Sequence, residues 1–125
     1  MCSSEPSGYG GGTGNWVSIA GTETAIGTGR KNTDLILATD ANAPAAKACK
    51  EYRGPNNLTD WFLPSITELN TLYTNRSYIG NMGTNLYWSS SQNISSSAWY
   101  QLFLNGGQGG NSKFDTNSVR AIRAF

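Results

Sequence analysis

The chain contains no histidine, and that absence removes every Ser-His-Asp and Cys-His arrangement for nucleophilic catalysis. Its 2 cysteines, Cys2 and Cys49, stand far apart and offer no metal-ligand spacing. The carboxylates are scattered; "DANAP" at 40–44 begins like a calcium loop with Asp-x-Asn and goes no further. Charge is scarce as well. Only 14% of residues are charged, against about 25% in an ordinary soluble domain, and 9 basic against 8 acidic side chains leave a net charge of +1. With no Lys/Arg cluster there is no field to draw in nucleic acid or anionic lipid. No apolar run approaches the roughly 18 residues of a membrane-spanning helix, and no signal-peptide core is found. The composition predicts no cofactor, no metal, no nucleic-acid partner, no transmembrane segment and no enzymatic chemistry.

What is abundant is glycine, 15 of 125 residues, together with Ser, Thr and Asn. The length suits one domain with a single core. "MCSSEPSGYGGGTG" has the composition of a flexible lead, which divides the chain into a lead over 1–14 and a folded domain over 15–125. "NWVSIAGTE" reads as a short strand anchored by Trp16 and Ile19. "AIGTGRKNTDLILATD" passes from a glycine turn into a helix, capped by Asn32 or Thr33 with Asp34 in its first turn and burying Leu35, Ile36 and Ala38. Pro44 can open a second helical stretch, ending near Arg53. In "WFLPSITELNTLY", Ser65 and Glu68 make a capping box, and Ile66, Leu69, Leu72 and Tyr73 recur at helical spacing. Beyond residue 77 the pattern changes to short strands, "LYWSSS", "AWYQLFL" and "VRAIRAF", joined by Gly/Asn/Ser loops. Helices first and strands later predict the α+β class.

Trp61, Trp88 and Trp99 each flank an apolar element and are expected in the core. Cys49, at helical spacing from Ala45, Ala46 and Tyr52, reads as a small buried hydrophobe; a Cys2–Cys49 disulfide is the alternative in an exported protein. "AWYQLFLNGGQGG" at 98–110 is harder. As a strand it puts Ala98, Tyr100, Leu102 and Leu104 on one face and Trp99, Gln101 and Phe103 on the other. Both faces are apolar, and a small domain is expected to take one of them into its core. Pattern alone favours burying the first.

The blocks "TAIGTGRKNTDLILA", "AAKACKEY", "DWFLPSITELNTLY", "YWSSSQ" and "VRAIRAF" fall in the order seen in the bacterial DUF1566 family, which includes the C-terminal domain of the Legionella collagen-like adhesin. The chain resembles that family over about residues 22–125. The resemblance implies a C-type-lectin-like fold: two main helices packed on small, mostly antiparallel sheets with long loops. Within the family the chain is most similar to the variable proteins of diversity-generating retroelements, whose last strands and loops alternate fixed positions with positions encoded by AAY codons. Carried over residue by residue, the fixed set is Trp88, Ser89, Ser91, Gln92, Ala98, Trp99, Gln101, Phe103, Gly106, Gln108, Lys113, Val119, Arg120 and Arg123. The interleaved, ligand-binding set is Asn93, Ser96, Ser97, Tyr100, Leu102, Leu104, Asn105, Gly107, Gly109, Gly110, Asn111, Ser112, Phe114, Asp115 and Asn117. Changing the adenines of AAY never yields Lys, Glu, Gln, Met or Trp, and every interleaved position holds a reachable type. The resemblance also reverses the faces of the 98–104 run. It predicts Trp99 and Phe103 buried with a hydrogen-bonded Gln101 beside them, and Tyr100, Leu102 and Leu104 exposed as an apolar row.

The function this implies is a surface-displayed module that binds a protein or glycan ligand on another cell or host surface. Tyr100 and Phe114 would be its aromatic anchors, with Asn111, Ser112, Asp115 and Asn117 as adaptable polar contacts. One alternative is a fixed adhesin for polysaccharide or sulfated glycosaminoglycan, using Lys113, Arg120 and Arg123. Another is an enzyme akin to the sulfatase-modifying group of this fold, using Cys49. The family's first strand is shortened here, and an edge left uncovered can pair with a second copy, giving a homo-oligomer. The sugar- and calcium-binding triplets of animal C-type lectins are absent, so the fold does not imply calcium-dependent sugar binding. "MCSS" resembles the mature start of a bacterial lipoprotein whose Cys2 carries the lipid. The implied location is extracellular: the bacterial surface, including an outer-membrane lipoprotein, or a phage or virus particle.

Overall fold

The computed structural model describes residues 19, 21–41, 43–79, 83–94, 97–112 and 117–123. Their elements are α1 (Gly29–Thr39), α2 (Pro44–Glu51), α3 (Ile66–Thr74), the short α4 (Arg76–Ile79), β1 (Leu86–Ile94), β2 (Ser97–Leu102) and β3 (Gln108–Ser112). The strands form one antiparallel sheet in the order β1-β2-β3. The domain is α+β, as expected. Among the described residues no helix is long and apolar enough to cross a membrane, and no group of acidic or cysteine side chains could hold a metal ion.

Local chemistry sets the helix starts. Pro44 occupies the first turn of α2, where its missing N–H costs nothing. At α3 the capping box forms: Ser65 Oγ accepts from the Glu68 N–H at 3.3 Å, and Glu68 Oε1 accepts from the Ser65 N–H at 2.8 Å. Glu68 also reaches beyond its own helix, its Oε2 accepting from the Gly27 N–H at 2.8 Å. One buried carboxylate therefore ties the turn before α1 to the start of α3. Gly29 fits there because a Cβ would run into Glu68 Oε1 and the Phe62 ring.

α1 begins earlier than its sequence suggests. Thr28, not Asn32 or Thr33, is the N-cap residue, and Asp34 lies beyond the first turn. The reason is that Asn32 and Thr33 use their side chains on distant backbone. Asn32 exchanges hydrogen bonds with Glu23, Nδ2 donating to its carbonyl at 2.7 Å and Oδ1 accepting from its N–H at 2.9 Å. Thr33 Oγ1 accepts from the Leu63 N–H at 3.0 Å. Asp34 instead pairs with Lys50 of α2 at 3.2 Å. Ile36 is buried and Leu35 half-buried as expected, whereas Ala38 is exposed.

The third strand is also elsewhere. Gln108–Ser112 forms β3, while residues 119–123, expected as a strand, contribute only an isolated bridge. There Phe62 and Ile122 exchange both backbone hydrogen bonds, at 2.9 and 3.0 Å. Arg123 clamps the same crossing, Nε and Nη2 donating to Asp60 Oδ1 and Oδ2 at 2.7 and 2.9 Å. Those bonds hold the Asp60 carboxyl below its usual range, with burial opposing them.

Two apolar clusters flank the sheet. The first gathers Ile36, Ala45, Ala46, Cys49, Leu63, Trp88, Ala98 and Val119, with Trp61 half-buried against it. The second gathers Phe62, Ile66, Leu69, Leu72, Tyr87, Phe103 and Ile122, with Tyr73 and Trp99 half-buried against it. Consecutive residues Tyr87 and Trp88 thus enter opposite clusters, as strand alternation requires. Cys49 is buried as a small hydrophobe; Cys2 and Trp16 lie outside the described residues. The outer edge of β1 is covered. Ser118 bonds backbone-to-backbone with Leu86 and Trp88, the Pro64 carbonyl accepts from the Ser90 N–H, and Thr22 Oγ1 accepts from the Gln92 N–H at 3.0 Å.

Candidate recognition surface

β2 sits centrally, and both of its faces are packed. The expectation that only one face enters a core is therefore corrected. Ala98 lies in the first cluster, while Phe103 and half-buried Trp99 lie in the second. Phe103 is 2% exposed and Leu104 64% exposed, as predicted. Trp99, Tyr100 and Leu102 are all half-buried, so neither the fully buried Trp99 nor the fully exposed row is found. Leu104 is exposed because β2 ends at Leu102 and Leu104 occupies the following turn.

Gln101 organises that turn. Its side chain is fully buried, and its Nε2 donates to Asn70 Oδ1 of α3 and to the Gly106 carbonyl, each at 3.1 Å. Its Oε1 accepts from Gln108 Nε2 at 2.7 Å. A buried amide satisfied on both ends fixes α3, the turn and the edge strand to one another. The backbone closes the same loop, Leu102 N–H donating to the Gly107 carbonyl at 2.7 Å and Gly106 N–H to the Leu102 carbonyl at 2.8 Å. Gly106 has φ +82° and lies against the Tyr73 ring, where a Cβ would approach Cε2 to 2.6 Å. Position 106 therefore requires glycine on two grounds.

The glycines of β3 carry a different constraint. Gly109 pairs with Tyr100 across the ladder. A Cβ at 109 would meet the Tyr100 hydroxyl at 2.9 Å, so that ring lies over the glycine. At Gly110 a Cβ would run into Asn93 Nδ2. Asn93, Leu104, Asn105, Gly107 and Gly110 are exposed, and Ser97, Tyr100, Leu102, Gly109, Asn111 and Ser112 are half-buried. Asn117 departs from the set: it is 6% exposed and packs inside, so it is not a surface contact. Ser96, Phe114 and Asp115 lie outside the described residues, as does Lys113. Of the positions read as fixed, Trp88, Ser89, Ser91, Ala98, Gln101, Phe103 and Val119 are buried, Gln92, Trp99, Gly106 and Arg120 are half-buried, and Gln108 and Arg123 are exposed.

Sequence reasoning missed α3's part in this surface. Asn70 and Tyr73 are three residues apart on one helix face, and together they hold the 103–107 turn. The available signal was a polar residue at helical spacing beside an apolar stripe. The ring of Tyr73 meets Phe103 edge-on, centroids 5.5 Å apart, and carries the Arg76 guanidinium 4.1 Å above its centre.

A helix-backed antiparallel sheet ending in a glycine-rich turn and an edge strand is the architecture of the described residues. The match to a family model makes this specific: residues 15–123 match the Lcl C-terminal domain, the C-terminal domain of the Legionella collagen-like protein, and the chain belongs to that family. No curated protein sequence matches the chain.

Proposed function

We propose that the chain is a non-enzymatic binding module displayed at a bacterial or phage surface, and that β2, β3 and the turn between them recognise the ligand. The observation that carries this reading is the division of burial between two interleaved sets. Side chains of the fixed set fill both clusters, whereas only Asn117 among the described interleaved positions is buried. A surface built this way can change its contacts without changing its core, which is what a diversified recognition site needs. Glycosaminoglycan binding is less favoured because Arg123 is already committed to Asp60 in a two-bond pair.

The test is a displayed library in which Tyr100, Leu102, Leu104, Asn105, Gly107 and Asn111 are varied together by AAY-type codon changes. A matching library varies Trp88, Ala98, Gln101 and Phe103. The first is expected to stay protease-resistant and the second to lose resistance; equal loss in both overturns the reading. The diversification itself is read from neighbouring DNA. A reverse transcriptase gene with a near-copy of codons 85–125 is the expected finding, and its absence leaves a fixed adhesin.

A further inference from the structure

Between Glu68 and Lys113 the chain carries a single charged residue, Arg76. This stretch includes α3 beyond Glu68, α4 and the whole sheet, and Glu68 itself is buried, so the candidate recognition surface has no carboxylate of its own among the described residues. The described ion pairs, Lys31–Glu23, Lys50–Asp34 and Arg123–Asp60, all lie outside it. Arg76 is exposed, its guanidinium carbon 4.1 Å from the centre of the Tyr73 ring and steadied by Nη1 donating to the Tyr73 carbonyl at 2.8 Å. Its other guanidinium N–H groups have no partner among the described residues. The outer edge of the same Tyr73 ring, at Cε2 and Cζ, lies against Gly106, two residues after exposed Leu104.

From this juxtaposition we infer that the Tyr73–Arg76 stack is a fixed anchor for a carboxylate on a protein ligand, with an adjacent apolar side chain resting on Leu104. The inference rests on the recognition-surface reading and adds the class of partner. A guanidinium already oriented on an aromatic ring loses little freedom on binding, and its planar fork matches a carboxylate. Arg and Tyr are also the side chains that most often dominate interface energy. Among the described residues of this surface, a single cation amid neutral and apolar groups suits one acidic side chain rather than a sulfated polymer, which is held by several cations.

The probe is a phage-displayed library of linear peptides panned on the full chain, each selected peptide being remade with Asn or Gln in place of its acid. Selected peptides are expected to carry Asp or Glu beside an apolar residue, and the amide twins to bind about tenfold more weakly. Arg76→Gln should abolish the difference between twins, and Arg76→Lys should restore part of it. Twins that bind alike, an Arg76→Gln variant with unchanged affinity, or a library that yields no binder overturns the proposal. So does a loss on Arg76→Gln confined to heparin retention. A Tyr100→Ser/Leu102→Ser variant separates the two readings. Binding lost there but kept in Arg76→Gln removes the anchor and leaves the surface; the reverse leaves the anchor and removes the surface.

Discussion

The two faces of β2 are built on different terms. One face carries Trp99, Gln101 and Phe103 onto α3, and its polar member is fully hydrogen-bonded. The other starts at fully buried Ala98 and opens toward half-buried Tyr100 and Leu102. Both faces are apolar in composition, so composition does not distinguish them. What distinguishes them is the neighbour: an amphipathic helix with a capped start on one side, and across from Tyr100 a glycine with no side chain. A strand can thus be structural along one face and available along part of the other.

That contrast can be broken first at Phe103. Phe103→Ala removes a ring packed on Tyr73 and Tyr87 and should cost about 3–5 kcal/mol, read by urea denaturation. A loss below about 1 kcal/mol would mean the α3 face is not the closed one. Next is Gln101→Ala, which strands Asn70, Gln108 and the Gly106 carbonyl. A loss of about 1–3 kcal/mol is expected, together with faster amide exchange through 103–107. Tyr100→Ser and Leu102→Ser, on the open face, should each cost less, about 1–2 kcal/mol, because each side chain is only partly buried. Equal losses on the two faces would erase the distinction. Leu104→Ser should change stability by no more than about 0.5 kcal/mol.

The smallest effect lies away from the sheet. Arg123 lowers the Asp60 pKa in the folded state, so this pair adds stability above the ordinary aspartate range. The contribution fades as pH falls through the lowered folded value. Asp60→Asn should flatten that acid limb slightly in pH-dependent melts while leaving neutral pH nearly unchanged, since the pair is exposed.

α3 was legible in the sequence because its evidence is local: a capping pair three residues apart and an apolar stripe behind it. The start of α1 was not, because a residue able to cap a helix can equally bond a remote backbone. Asn32 and Thr33 do the latter. "QGGNS" has nothing of a strand in its composition; it becomes β3 through pairing with β2, a case of tertiary context overriding propensity. The burial of Gln101 and Phe103 followed from the family resemblance rather than from periodicity. The half-burial of Tyr100 was not accessible to either, since it depends on which residue lies opposite.

The ring of Tyr100 over Gly109 has a combinatorial consequence. Any side chain placed at 109 must displace that ring, and any residue at 100 is admitted or refused by what stands at 109. Asn93 and Gly110 are linked in the same way. Substitutions at these sites are therefore epistatic, and the set of workable surfaces is smaller than the product of the choices at each position. A mutational scan that changes one residue at a time would misjudge both pairs, scoring as intolerant positions that accept change only together.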